Sequence, residues 1–193
     1  MNKLVVINAC VREKESRTLR IAEPLIMSLS DRFEVIRYDL PEMEGIVPLT
    51  PGLLAGRERG EIPAWALESA RSIASADCIL IAAPFWDMSF PAVIKCFFEQ
   101  VSLFDVTFTD SGSTCEGLCK APRVLFITTR GMNIPNGDHR DLATPYLRAL
   151  GELWNLGEIT TIAAWNMDYS SPEEIEEKIS TCISEGLDLI NTL

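Results

Sequence analysis

Ala83-Pro84-Phe85-Trp86-Asp87-Met88-Ser89-Phe90-Pro91 joins two segments of different periodicity. Upstream, Cys78-Ile79-Leu80-Ile81-Ala82 is short and apolar throughout, as in a strand covered on both faces. Downstream, Pro91 suits the first position of a helix, and Ile94, Phe97, Phe98 and Val101 recur on one helical face. The quoted stretch is therefore the turn at the carboxyl end of a central strand, where open α/β sheets bind ligands. Phe85 and Trp86 either face a flat, conjugated ligand there or tuck the loop against the core.

Outward from this turn, strand and helix patterns alternate. Leu4 to Asn8 reads as a first strand, and Ala22, Leu25, Ile26 and Leu29 mark a helix kinked at Pro24. Phe33 to Asp39 alternates apolar and polar, which suits a half-exposed edge strand. Pro63 opens a helix with Leu67, Ala70, Ile73 and Ala74 inward. After the central strand and its helix, Val124-Leu125-Phe126-Ile127 is a fourth strand and Ile159 to Trp165 a fifth. A helix between these two begins near Asp141 or Thr144, with Pro145 in its first turn. Ser171-Pro172-Glu173-Glu174 starts the last helix with a cap, a proline and acids at the positive dipole end.

Two tracts break the rhythm. Residues 41–62 are rich in Pro and Gly and read as an irregular excursion. Residues 103–121 are also irregular, with a small hairpin around Asp110-Ser111-Gly112-Ser113. Five alternations predict one domain over 1–193: a three-layer αβα sandwich on a five-stranded parallel sheet. The flavodoxin-like order 2-1-3-4-5 brings the ends of strands one, three and four together.

Composition narrows the partners. A chain of 193 residues can bury roughly 70% of its unfolded surface. A net charge of −11 argues against nucleic acid and anionic membranes, both of which repel it. The apolar run Leu4 to Ile7 is too short for a signal peptide, and Arg12, Glu13 and Lys14 follow at once. No transmembrane run exists, and scattered cysteines suit reduced thiols, so a cytoplasmic location is expected. Cys115 and Cys119 lack CxxC spacing and the chain has 1 histidine, so no metal site is expected.

Three loops then share one site. The loop after strand one carries Arg12, Ser16, Arg17 and Thr18 ahead of a helix start, which suits a phosphate or a plain helix cap. It contains no glycine, which excludes a Walker loop and a G-x-G-x-x-G fingerprint. The loop after strand four, Thr128-Thr129-Arg130-Gly131-Met132-Asn133, offers hydroxyls and a close backbone approach to the polar edge of a ring. With the aromatic loop, these match the phosphate, ring face and pyrimidine edge of flavin mononucleotide (FMN).

At these residues the chain resembles the flavodoxin-like NAD(P)H:quinone oxidoreductases, particularly the FMN-dependent NADH azoreductases. The resemblance is most specific in Ile81 to Pro91, Lys95 and Phe98, and continues in Val106-Thr107-Phe108, Ile127 to Gly131 and Asp141 to Leu147. It implies that Cys10, Ser16, Arg17 and Thr18 hold the FMN phosphate. It implies that Phe85, Trp86, Asp87 and Met88, following Pro84, lie along the isoalloxazine, and that Thr129, Arg130 and Gly131 border its pyrimidine side. FMN rather than FAD is the implied cofactor, NAD(P)H the co-substrate and a quinone or azo compound the acceptor. Hydride passes from nicotinamide to flavin N5 and then to the acceptor in such enzymes, which are dimers with flavin at the subunit interface. The alternative is a flavodoxin-like electron carrier that docks redox partners without NAD(P)H turnover.

The chain departs from the azoreductase pattern in three places. Trp86-Asp87-Met88 stands for Tyr-Asn-Phe, Met132 for a second glycine, and Cys10 for a serine-like residue. A carboxylate at Asp87 disfavours an anionic reduced flavin unless it points away. His139, the sole histidine, is either a proton donor to the reduced quinone or a solvated loop residue.

Overall fold

The computed structural model describes residues 2–191; Met1, Thr192 and Leu193 of the expected 1–193 domain lie outside them. Along the chain run β1 (Asn2–Asn8), α1 (Arg17–Ser30), β2 (Phe33–Asp39), α2 (Pro51–Glu58), α3 (Ala64–Ala74), β3 (Cys78–Ala82) and α4 (Ala92–Val101). There follow β4 (Phe108–Asp110), β5 (Cys115–Gly117), β6 (Arg123–Thr129), α5 (Ala143–Trp154), β7 (Glu158–Ala164) and α6 (Pro172–Ile190). The main sheet is parallel in the order β2-β1-β3-β6-β7, which is the expected 2-1-3-4-5 once the β4–β5 hairpin is set aside.

Alternation along each strand divides the core. Val5, Ile7, Ile79, Ile81, Val124 and Phe126 face one way and pack against Ile73 of α3, Phe97 and Phe98 of α4 and Trp154 of α5. Leu4, Val6, Leu80, Leu125 and Ile127 face the other way, onto Ile21 and Leu25 of α1 and Ile179 of α6. All five residues of β3 are buried, because helices cover both faces of the central strand. Register sets the strand ends level: Asn8 lies opposite Ala82, Ala82 opposite Ile127, and Thr129 opposite Ala164.

The four residues expected on the inner face of α4 are all buried. Ser171 closes the expected start of α6 with a full capping box to Glu174. The tract 41–62 is more regular than its composition suggests. Thr50 accepts a hydrogen bond from Leu53 N–H, and Pro51 supplies a preset first φ, so α2 forms despite Gly52 and Gly56. In 103–121 the expected hairpin is present as the antiparallel pair β4–β5. No helix among the described residues is long and apolar enough to cross a membrane.

Candidate functional site

A cleft opens at the carboxyl ends of β1, β3 and β6, where the strand order reverses. One end is lined by Arg12, Glu15, Ser16 and Arg17, the other by Pro84, Phe85 and Trp86. Thr129 and Gly131, from the end of β6, and Met167 and Asp168, past β7, complete the lining.

The three loops are stitched together beneath this cleft. Phe85 N–H donates to the Thr129 carbonyl at 3.1 Å, and Ala83 N–H to that of Ile127 at 3.0 Å, which continues the β3–β6 ladder past the strand. Thr18 and Thr129 share a hydroxyl hydrogen bond of 2.7 Å. At the cationic end, Ser16 caps α1 by accepting from Leu19 N–H. The first amides of a helix have no intrahelical acceptors, so this end presents donors as well as guanidinium charge to an anion.

The aromatic loop is a tight turn. Trp86 and Ser89 exchange two backbone hydrogen bonds, of 2.8 and 2.9 Å. Asp87 and Met88 between them have φ of 49° and 67°. This is the geometry of a two-residue primed hairpin turn, which Asn-Gly adopts readily and a side chain such as Met resists. Two contacts hold it: Leu142 N–H donates to the Met88 carbonyl at 3.0 Å, and Phe90 packs edge-on against Tyr146 at 5.3 Å.

Behind Phe85 lies a buried ion pair. Arg130 places its guanidinium 5.3 Å from the Phe85 ring centroid. It donates to Asp141 Oδ2 at 2.8 Å and to the Ile134 carbonyl at 2.9 Å. Asp141 also accepts from the amides of Ala143 and Thr144 and from the Thr144 hydroxyl, so one carboxylate both neutralises Arg130 and starts α5. Burial lowers the Arg130 pKa against the pull of Asp141. The Arg130 Nε–H has no acceptor among the described residues.

These positions sort the residues expected at the site. Arg12, Ser16, Arg17, Pro84, Phe85, Trp86, Thr129 and Gly131 line the cleft together. Thr18 is wholly buried and reaches the site only through Thr129. Four expectations change. Cys10 is buried, and its thiol points to the Ala82 carbonyl, so it supports the loop from beneath instead of meeting a phosphate. Burial raises its pKa to about 11, which keeps it a neutral thiol. Arg130 is fully buried, and its side chain is committed to Asp141 rather than to a ring edge. Asp87 and Met88 shape the turn beside Trp86 and are not among the residues that line the cleft. His139 lines a different cavity, between α5 and β7, with its side chain exposed beside Asp138.

Asp168 was missed by sequence reasoning. It follows β7 in Trp165-Asn166-Met167-Asp168, and Asn166 at φ 61° turns the chain back toward the site. Its carboxylate meets Arg17 Nη1 at 2.9 Å. The available signal was positional: β7 neighbours β6, so its carboxyl end borders the same cleft.

The sheet order together with a cleft at its reversal point defines a flavodoxin-like α/β protein. The chain belongs to that family: a family model described as "Flavodoxin-like fold" matches residues 2–185. It is 30% identical over 197 residues to the FMN-dependent NADH:quinone oxidoreductase of Clostridium perfringens, covering 98% of each chain. Among solved structures, an azoreductase from Bacillus anthracis shares the fold with a TM-score of 0.84 at 17% identity, covering 100% of both chains. An FMN-dependent NADH-azoreductase from the same species, solved in complex with FMN, has a TM-score of 0.79 at 16% identity, over 98% of this chain and 99% of its own.

Proposed function

We propose that this protein is an FMN-dependent NAD(P)H oxidoreductase acting on a quinone-like acceptor. The observation that carries the reading is the mixed lining of one cleft, which brings cations and a helix start together with Phe85 and Trp86. That donor set fits FMN, whose phosphate and flat ring are its two recognisable ends. Relatives named FMN-dependent NADH:quinone oxidoreductase that match 96–98% of the chain support the same activity.

In this reading Arg12, Ser16 and Arg17 hold the phosphate. Pro84, Phe85 and Trp86 lie along the ring, with the backbone of the Asp87–Met88 turn at its edge. Thr129 and Gly131 border the pyrimidine side; Arg130 acts from behind Phe85 and Cys10 from beneath the first loop. When bound, FMN supplies the two-electron chemistry between NAD(P)H and the acceptor. The protein's own part is placement: the ladder bonds from Ala83 and Phe85 fix the aromatic end against the sheet. We assign no side chain as nucleophile, and His139 is too exposed and too differently placed to serve as the site's proton donor.

A homodimer suits the cleft mouth, where Trp86 is 43% and the neighbouring Leu142 57% exposed, both large apolar groups at one rim. A cytoplasmic location suits the six free cysteines. The test is direct. The purified protein should bind FMN and oxidise NADH in the presence of a benzoquinone, and Arg17→Ala should weaken FMN binding about tenfold. A protein that takes up no FMN on titration would falsify the reading.

A further inference from the structure

We propose that Asp168 is an affinity-limiting residue of the cationic end: an internal carboxylate with which a phosphomonoester must share Arg17, or which it must displace. The inference rests on the FMN reading above and concerns how firmly the phosphate is held.

The arrangement is built, rather than a chance meeting of two surface charges. Asp168 N–H donates to the Gly131 carbonyl at 3.0 Å, which pins the residue to the cleft wall. Its Oδ1 lies 2.9 Å from Arg17 Nη1, and that same nitrogen donates to the Met167 carbonyl at 3.2 Å. Residue 131 makes room for the carboxylate, since a Cβ there would overlap Asp168 Oδ2. A glycine on one side and a guanidinium on the other therefore form a seat for one anion, and a side chain already fits it. Glu15 lines the same end and adds a further negative charge.

A phosphate dianion within hydrogen-bond reach of Arg17 meets Asp168 at close range. Like charges at such separation in a half-solvated site repel by enough to shift affinity about tenfold. The effect falls on phosphate alone. Riboflavin carries the same ring without that group and escapes the repulsion. The consequence is an FMN held about tenfold less tightly than the same cleft would hold it without that charge.

The full chain is titrated with FMN and, separately, with riboflavin, following quenching of flavin fluorescence. Asp168→Asn keeps the shape and the backbone hydrogen bond while removing the charge, and Asp168→Ser removes the arm reaching Arg17. Both should tighten FMN about tenfold and change riboflavin by less than about twofold. Unchanged FMN affinity in both variants overturns the proposal. Weaker FMN binding overturns it too, because Asp168 would then be orienting Arg17 for the phosphate. Equal tightening of both flavins places the effect on the ring and likewise refutes it. Failure of the underlying reading looks different: neither flavin binds the wild type or either variant.

Discussion

The two ends of the cleft are each organised by an arginine–aspartate pair, but the pairs sit in opposite environments. Arg130–Asp141, behind Phe85, is buried, with side chains 0% and 3% exposed. Arg17–Asp168, at the cationic end, is open to water, at 38% and 66%. A buried pair must have every partner in place, because an uncompensated charge there is costly. An exposed pair is screened and easily exchanged for another. The aromatic end is thus built as a fixed platform, and the cationic end as a set of charges free to trade partners. A ligand with one rigid and one flexible end would find both.

Removing Asp141 attacks the fixed end, and the largest effect is expected there. Asp141→Ala strands a buried guanidinium and takes the acceptor from the amides of Ala143 and Thr144. A loss of about 3–5 kcal/mol in denaturant unfolding is expected. If Asp141→Ala instead costs no more than a surface change, the platform does not depend on the pair. Arg130→Met combined with Asp141→Asn should recover part of the loss, since no unpaired charge then remains.

The turn above that pair holds a smaller reserve. Met88 sits at φ 67°, a conformation glycine adopts without penalty. Met88→Gly should therefore stabilise by about 0.5–1 kcal/mol, raising the melting temperature by roughly 1–4 °C for a chain of this size. Glycine is normally destabilising because it frees the unfolded chain, so the sign of the change is diagnostic. A fall in melting temperature would mean that side-chain packing of Met88 outweighs its backbone strain.

The fixed end was more legible in the sequence than the adaptable one. Cys78 to Ala82 read as a strand covered on both faces, and the helical face from Ile94 to Val101 followed it, so the aromatic turn was located before its geometry was known. Strand order then brought the right loops together. What could not be read were pairings made across the fold. An arginine beside a glycine at a strand end reads as ligand-facing, and only folding brings Asp141 to Arg130. Cys10 reads as part of a phosphate loop because burial beneath that loop leaves no local mark. Asp168 gave only the positional signal of lying past the strand beside β6: a carboxylate there is ordinary until Arg17, 151 residues away, meets it. In α2, the glycines hid a helix start whose cap, Thr50-Pro51, was present throughout.

The smallest effect tests the adaptable end directly. A double-mutant cycle with Arg17→Ala and Asp168→Ala measures the coupling between the two side chains in the protein without flavin. Both are more than a third exposed, so solvent screening should leave about 0.5 kcal/mol of coupling in unfolding free energy. Added salt should reduce that further, because exposed charges lose their interaction within a Debye length. The same cycle on Arg130 and Asp141 should give a coupling several-fold larger and nearly insensitive to salt, since bulk ions do not reach the pair. Equal, salt-independent couplings at the two ends would erase the distinction between platform and exchangeable charges. They would also make Asp168 a fixed structural partner of Arg17, poorly suited to yielding its place to a phosphate.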